Sequence, residues 1–93
     1  MTDDDRYRVT IGRAARRALS EELPEAVAVA AFELIHGALR ENPRRVGKPL
    51  RALLAGQWVA RKSTYRITYR IDDKTHTVHV IDIDGRADIY RPH

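Results

Sequence analysis

Cysteine is absent from this chain of 93 residues, and its absence excludes several kinds of chemistry. Without a thiol the chain can form no disulfide framework and no cysteine–zinc site. It also has no thiolate to serve as a nucleophile. The candidate functions are therefore those that need neither disulfides nor thiols.

Long apolar runs are also missing. No stretch approaches the roughly 20 consecutive apolar residues that a membrane-spanning helix needs. Residues 1–6 are acidic, whereas an export signal would be basic and then apolar. We therefore expect a soluble, cytoplasmic protein. Its length predicts a single domain, residues 1–93, built around one core.

The residues that commonly bind metal ions do not form a convincing cluster. His76 and His79 are three positions apart on a predicted strand, so their side chains point to opposite faces. Asp82 and Asp84 lie among basic residues, which favours local ion pairs over a hard-cation site. The sequence therefore predicts no metal and no cofactor.

Acidic residues are scarce in the middle of the chain. Between residues 40 and 70 the only acid is Glu41, although the net charge of the whole chain is just +4. A solvated basic surface would explain most charge runs, but this one crosses a predicted central strand, where solubility does not require arginines. An anionic partner is therefore expected. The nine basic residues are Arg40, Arg44, Arg45, Lys48, Arg51, Arg61, Lys62, Arg66 and Arg70.

The centre of the chain, residues 58–83, is predicted to contain a β-hairpin. Apolar and polar residues alternate from Tyr65 to Ile71 with the period of two that is typical of a strand. A two-residue turn at Asp73 and Lys74 would place Tyr69 opposite Val78. One face is then apolar and must be buried: Tyr65, Ile67, Tyr69, Ile71, Val78 and Val80.

The opposite face of this hairpin is cationic and is where we expect the function to lie. A change of phase after Val80 predicts a β-bulge that redirects the following side chains. The residues assigned to this face are Arg66, Thr68, Arg70, Thr77, His79 and Ile81.

The flanking segments complete an α+β pattern. Residues 7–11 alternate as a short first strand, and Thr10 is expected to cap a first helix that ends near Ser20. A second helix is predicted over residues 24–41, followed by an irregular loop over 44–50 that is rich in Gly and Pro. Three strands then follow, with a short fifth strand or a tail over 87–91. The predicted fold is β-α-α-β-β-β(-β), an antiparallel-rich twisted sheet with two helices on one face.

Several short motifs, in this order and at this spacing, resemble the RelE/ParE superfamily of type II toxins. The similarity covers nearly the whole chain and is greatest to actinobacterial RelE-type members. The motifs are Ala14-Ala15, Leu19, Asn42-Pro43, Gly47-Lys48-Pro49-Leu50, residues 56–61 (GQWVAR), residues 65–71 (YRITYRI), Val78-His79-Val80, Arg86 and residues 88–91 (DIYR).

This resemblance implies a toxin that is neutralised by a cognate antitoxin and that cleaves mRNA on the ribosome without a metal. In that reaction the ribose 2′-OH attacks the adjacent phosphate and leaves 2′,3′-cyclic phosphate and 5′-OH ends. The match implies that Arg66 binds the phosphate, Arg86 neutralises the leaving oxygen and Tyr90 orients the substrate. Lys62 is a further catalytic candidate, and His93 is a possible proton carrier or simply a frayed last residue.

Other basic residues are assigned to gripping RNA rather than to chemistry. The chain departs from the family pattern where active members often carry two strand lysines, because Gln57 and Val59 occupy those positions. Gly85 stands where a basic residue often precedes the arginine that Arg86 matches. The predicted RNA-binding residues are Arg44, Arg45, Lys48, Arg51, Arg61 and Arg70.

Three functions remain open at this point. The first is a ribosome-dependent mRNA endonuclease, which the trio of Arg66, Arg86 and Tyr90 favours. The second is a ParE-like toxin that inhibits DNA gyrase by binding it, which the missing lysines favour. The third is a non-toxic RNA-binding module that kept only the basic face.

Overall fold

The computed structural model describes residues 5–50, 56–62 and 64–85 of the chain. Two longer helices precede a short third one, and each longer helix ends in a π-helical turn. The helices are α1 (Arg13–Arg17, with the π-helical turn Ala18–Glu22), α2 (Glu25–Leu34, with the π-helical turn Ile35–Leu39) and α3 (Pro43–Val46); the strands are β1 (Arg8–Ile11), β2 (Lys48–Pro49), β3 (Gln57–Arg61), β4 (Tyr65–Asp72) and β5 (Thr77–Gly85).

The five strands form one sheet in the order β1-β5-β4-β3-β2. Strand β1 pairs with β5 in parallel, whereas the other neighbouring strands pair antiparallel. The parallel pair is possible because α1 and α2 lie between β1 and the remaining strands in the chain and provide the crossover. The predicted α+β fold is confirmed, and the prediction is corrected by one additional helix, α3, and one additional short strand, β2. The last strand predicted over 87–91 lies outside the described residues.

The helices pack on one face of the sheet, and the core lies between the two layers. Three alanines of α1 and α2 are fully buried in this core: Ala15, Ala18 and Ala31. The predicted apolar face of the hairpin is confirmed, since all but the half-buried Ile71 of its residues are buried. The core residues are Ala15, Ala18, Ala31, Ile35, Leu39, Ala60, Tyr65, Ile67, Tyr69, Val78, Val80 and Ile83.

The turn between β4 and β5 is longer than predicted. It spans four residues from Asp73 to His76, and Tyr69 pairs with Val80 instead of Val78. The side chain of Asp72 accepts hydrogen bonds from two backbone N–H groups within the turn, and His76 takes a positive φ of 54°. The register therefore moves by two residues, which keeps each side chain on its predicted face because strand side chains alternate with a period of two.

The bulge predicted after Val80 is confirmed. The pairing register between β4 and β5 shifts between Thr68 and Tyr69, which leaves Ile81 as the extra residue on β5. Beyond it Ile83 is buried with the core. As a result Asp82 and Asp84 lie opposite Thr68 and Arg66, on the cationic face.

The segment predicted as an irregular loop over 44–50 instead contains α3 and β2. Pro43 occupies the first turn of α3, and the side chain of Asn42 caps it by accepting a hydrogen bond from the Arg45 N–H at 3.2 Å. The hydroxyl of the buried Tyr69 donates to the Pro43 carbonyl at 2.6 Å. This bond attaches α3 to the centre of the sheet.

The cap predicted for α1 is wrong. Gly12 is the N-cap residue, and among the described residues no side chain caps the N-terminus of that helix. Thr10 remains within β1, where its hydroxyl contacts the side chain of His79. Among the described helices, none is long and apolar enough to cross a membrane.

Candidate functional site

The candidate site lies on the sheet face opposite the helices, which we call the open face. Cross-strand pairing arranges its side chains in rows, because residues directly opposite each other on neighbouring strands point to the same side. One row joins Arg61, Arg66 and Asp84 on β3, β4 and β5, and a second row joins Gln57, Arg70 and His79 on the same strands.

Arg66 stands at the centre of the first row. Its side chain is 33% exposed, and one terminal nitrogen donates to a carboxylate oxygen of Asp84 at 3.1 Å. The guanidinium is therefore partly buried and held in place. An arginine has five N–H groups, so this single bond leaves others to bind an anion.

Arg61 faces Arg66 directly across the β3–β4 pair. Like charges in directly opposite positions destabilise a sheet, and Asp84 offsets only part of this charge. Two guanidinium groups on neighbouring strands can together bind a phosphate, whose oxygens match the planar fork of arginine. The pair therefore has the properties of an anion site.

Lys48 extends this charge toward the edge of the sheet. It pairs with Val59 on β3, two positions before Arg61, and both basic residues line a cavity of about 480 Å³ beside β2. We call Lys48, Arg61 and Arg66 the basic cluster. Within the described residues, neither Lys48 nor Arg61 has a hydrogen bond or ion pair through its side chain.

Lys62 is exposed and directly follows Arg61 at the end of β3. Its backbone N–H donates to the carbonyl of Tyr65 at 2.8 Å and closes the turn into β4. The structure therefore places Lys62 beside the basic cluster, at the same end of the sheet as Arg66.

Arg44 lies at the opposite end of the hairpin. Its guanidinium donates two hydrogen bonds to the carboxylate of Asp73, the shorter at 2.6 Å, and a third to the Tyr7 hydroxyl. The guanidinium also lies over the Trp58 ring, 6.0 Å from its centroid. The hydrogen bonds from Arg44, followed by the one from Tyr7, hold the pKa of Asp73 below its usual value. Arg44 is thus attached to the hairpin turn and is not part of the basic cluster.

The remaining sequence-predicted residues fall into two groups. Arg45 is exposed on α3, and Arg70 is exposed on the open face in the second row. Four residues lie outside the described ranges, so their predicted roles have no structural counterpart: Arg51, Arg86, Tyr90 and His93.

Sequence reasoning missed one contact on the open face. The hydroxyl of Thr10 lies 2.6 Å from Nδ1 of His79, because β1 pairs with β5 and places these residues side by side. No periodicity within a segment could reveal a pairing between strands 69 residues apart. Among the described residues, no group of three or more histidines or acids is arranged to hold a metal ion.

The arrangement suits binding and stabilisation of an anionic group. The basic cluster offers guanidinium and ammonium donors on rigid strands, the arrangement that stabilises charge developing on phosphate oxygens. Within the described part of the chain, the titratable side chain that bonds to Arg66 is the carboxylate of Asp84.

Comparisons with known proteins agree with this fold. Residues 5–90 match the family described as the ParE toxin of the type II toxin–antitoxin system parDE. The chain is 49% identical over 85 residues to the toxin RelG of Mycobacterium tuberculosis, covering 91% of this chain and 97% of that relative. It is 46% identical over 91 residues to the toxin RelE of the same organism, covering 98% and 93% respectively.

A solved structure is also similar over most of its length. The crystal structure of the toxin–antitoxin complex RelBE2 from M. tuberculosis contains a chain with 46% identity and a TM-score of 0.83. The match covers 87% of this chain and 99% of that one.

Proposed function

The chain belongs to the ParE toxin family of type II toxin–antitoxin systems, and from that premise we propose that it is a ribosome-dependent mRNA endonuclease acting in the cytoplasm. The observation that carries this proposal is the position of Arg66. It is held on the open face by Asp84, with Arg61 directly opposite. This arrangement supports binding of a phosphodiester at that point of the sheet.

The proposed reaction is an internal transfer within the RNA. The 2′-oxygen forms a bond to the adjacent phosphorus and loses its proton, while the bond from phosphorus to the 5′-oxygen breaks and that oxygen gains a proton. The products are a 2′,3′-cyclic phosphate and a 5′-OH. Arg66 would bind the phosphate and stabilise the negative charge that builds on its oxygens.

The other roles in this mechanism rest on the resemblance and on placement in the sequence. Arg86 would neutralise the leaving 5′-oxygen, and Tyr90 would orient the substrate or stack on a base. Lys62, which lies beside Arg61, would carry a proton, with His93 as the alternative carrier.

Dependence on the ribosome follows from the residues on the open face. Gln57 and Val59 occupy the positions of the family's strand lysines, and neither can transfer a proton at neutral pH. An in-line arrangement of the 2′-OH and phosphate is seldom populated in free RNA, and a ribosome that imposes it supplies much of the orientation that makes the step fast. A toxin with few proton-transfer groups would need this contribution.

An antitoxin is the proposed protein partner. The similar RelBE2 structure is itself a toxin–antitoxin complex, and two large apolar side chains of this chain are exposed on α2, Phe32 at 51% and Val29 at 49%. They line a groove of about 590 Å³ together with Leu19 and Leu23. Exposed apolar area of this kind is typical of a protein interface.

Gyrase inhibition is the alternative function. The matching family is described as the ParE toxin, and the open face carries Gln57 and Val59 in place of basic residues. A toxin that acts by binding a protein needs no proton-transfer groups, which is the observation in favour of this alternative.

Induced expression in a bacterial host, followed by mapping of transcript 5′ ends, tests the proposal. We expect cuts within translated reading frames, and we expect Arg66→Gln to abolish them. Arg13→Gln removes the same charge from the exposed start of α1 and should leave the cuts unchanged. Intact transcripts accompanied by induced DNA damage would refute the nuclease proposal and favour gyrase.

A further inference from the structure

The second row of the open face crosses four strands of the sheet. Gln57 on β3 is opposite Arg70 on β4, Arg70 is opposite His79 on β5, and His79 is opposite Thr10 on β1. All four side chains are polar. We call these residues the distal row.

The imidazole of His79 is fixed by its neighbour. Thr10 Oγ1 lies 2.6 Å from Nδ1, and Nε2 is 4.0 Å from the nearest carboxylate oxygen of Asp72, too far for a hydrogen bond. Nδ1 is thus occupied by the protein, whereas Nε2 can still bond to a ligand. The side chain of His79 is 43% exposed, so a ligand can reach it.

Among the described residues, the two carboxylates of the neighbouring turn have hydrogen-bond partners, whereas the side chain of Arg70 has none. Asp72 accepts hydrogen bonds from two backbone N–H groups of the turn, and Asp73 is paired with Arg44. Among the described residues Arg70 makes no hydrogen bond or ion pair through its side chain. Arg70 and His79 line an open depression together with Lys74, the two carboxylates Asp72 and Asp73, and Ile71.

The distal row lies on the same face as the basic cluster, at a fixed separation. Arg66 and Arg70 are four residues apart on β4, which corresponds to about 13 Å along the strand. Between them on that face lie Thr68 and its partners on the neighbouring strands, Val59 on β3 and Asp82 on β5. A single extended strand of nucleic acid that runs along β4 can therefore contact both the basic cluster and the distal row.

We propose that the distal row is a nucleotide subsite for single-stranded RNA. This inference rests on the proposed endonuclease function and adds the part of the substrate that lies beyond the scissile phosphate. Arg70 binds a backbone phosphate of that neighbouring nucleotide. The His79 ring and the Gln57 amide contact its base, because a ring can stack and an amide both donates and accepts.

RNA fits this row better than an acidic peptide does. A peptide that folds on a surface has to bury apolar area to offset the entropy of ordering, and the distal row contains no apolar side chain. A nucleotide needs a cation for its phosphate and ring or amide groups for its base, which are the groups present. Base contacts here would make His79 and Gln57 determinants of the preferred cleavage sequence.

This subsite can be tested by measuring how labelled oligoribonucleotides bind to the purified toxin. Fluorescence anisotropy gives the affinity, and NMR of the His79 ring reports contact at that residue. One set of oligonucleotides contains only the two nucleotides that flank the phosphate bound by Arg66. The other set extends beyond them on one side. We expect the extension to raise affinity several-fold for the natural chain and to shift the His79 ring signals.

The variant Arg70→Gln should lose that gain and reduce the slope of log affinity against log salt by about 0.7, the value for one phosphate contact on a single strand. His79→Gln should lose most of the gain without changing the salt slope. Arg13→Gln, which removes a charge on α1, should behave as the natural chain does.

Three results would overturn the subsite: no gain from extension, an equal loss with Arg13→Gln, or His79 signals that move with an acidic peptide and not with RNA. Binding requires no cleavage, so the two proposals fail separately. Uncut transcripts with an intact extension effect would refute the nuclease alone, whereas cut transcripts without that effect would refute the subsite alone.

Discussion

Tyr69→Phe removes one oxygen atom from the centre of the protein. Tyr69 is fully buried, and its hydroxyl donates to the carbonyl of Pro43 at 2.6 Å. The backbone of Gly47 also lies directly beside this hydroxyl. These contacts attach α3 and the start of β2 to β4, and β2 carries Lys48 of the basic cluster. We therefore expect the substitution to reduce stability and to loosen the position of that lysine.

The expected loss can be estimated from the groups left without partners. A buried donor or acceptor that loses its partner costs about 1–3 kcal/mol, which for a domain of this size lowers Tm by roughly 5–20 °C. Tyr65→Phe is the matched control, because the hydroxyl of Tyr65 reaches its acceptor, the Ala30 carbonyl, only at 3.4 Å. That change should cost clearly less.

The same hydroxyl makes stability depend on pH in the alkaline range. Burial raises the pKa of Tyr69 from 10.0 to about 12, although the Gly47 N–H acts in the opposite direction. Because the folded state holds this proton more tightly, the stabilisation is fully present below about pH 10 and is lost as pH rises through about 12. The difference corresponds to roughly 2–3 kcal/mol, and Tyr69→Phe should lack this part of the alkaline loss.

Urea unfolding at neutral and alkaline pH, with absorbance titration of the tyrosines, measures both effects. In the natural chain one tyrosine should ionise late, and that step should be missing from Tyr69→Phe. If Tyr69→Phe proves as stable as Tyr65→Phe at neutral pH, the bond to Pro43 does not hold α3 in place and the reasoning is wrong.

Two further predictions test the surroundings of the site. Gly47→Ala should destabilise the protein, because the added Cβ would come within 2.6 Å of a β3 carbonyl oxygen. Gly37→Ala is the control and should be tolerated, because its Cβ would meet nothing within 4 Å. Thermal unfolding of the two variants makes the comparison. Asp73→Asn should lower Tm only slightly, because the pair with Arg44 is exposed. Since that pairing lowers the pKa of Asp73, its stabilisation is present above pH about 3.9 and is lost as pH falls, so the natural and Asn chains should converge in acid.

The faces of the central hairpin could be predicted from the sequence, but its register could not. Alternation assigns a side chain to a face, and a shift of two residues leaves that assignment intact. The length of the turn depends on hydrogen bonds from the Asp72 side chain and on the positive φ of His76. Neither feature alters the hydrophobic pattern, so the two-residue turn remained equally compatible with it.

The helix α3 shows how one motif can have two meanings. Asn42-Pro43 predicted the end of the second helix, and the helix does end there, because a proline disfavours helical conformation at the residue before it. The same two residues also begin a new helix, with Asn42 as its cap and Pro43 in its first turn. The following glycine and Pro49 outweighed this signal in the sequence-based prediction.

The basic cluster was only partly predictable. Arg66 and Arg61 follow from motif and charge, and their opposition follows from the short turn between β3 and β4. The bond from Arg66 to Asp84 depends on the bulge at Ile81, which the change of phase indicated. The attachment of Arg44 to the hairpin turn could not be inferred, because it joins residues that are 29 positions apart and no local pattern connects them.

Cleavage in a purified translation system, with analysis of the fragment ends, tests the central claim most directly. We predict that the natural chain cuts mRNA on translating ribosomes, leaves 2′,3′-cyclic phosphate and 5′-OH ends, and retains activity in EDTA at levels that leave ribosomes intact. Arg66→Gln should produce no fragments while remaining folded. Fragments that carry 5′-phosphates, or cleavage of naked RNA that strictly requires added Mg²⁺, would contradict the account.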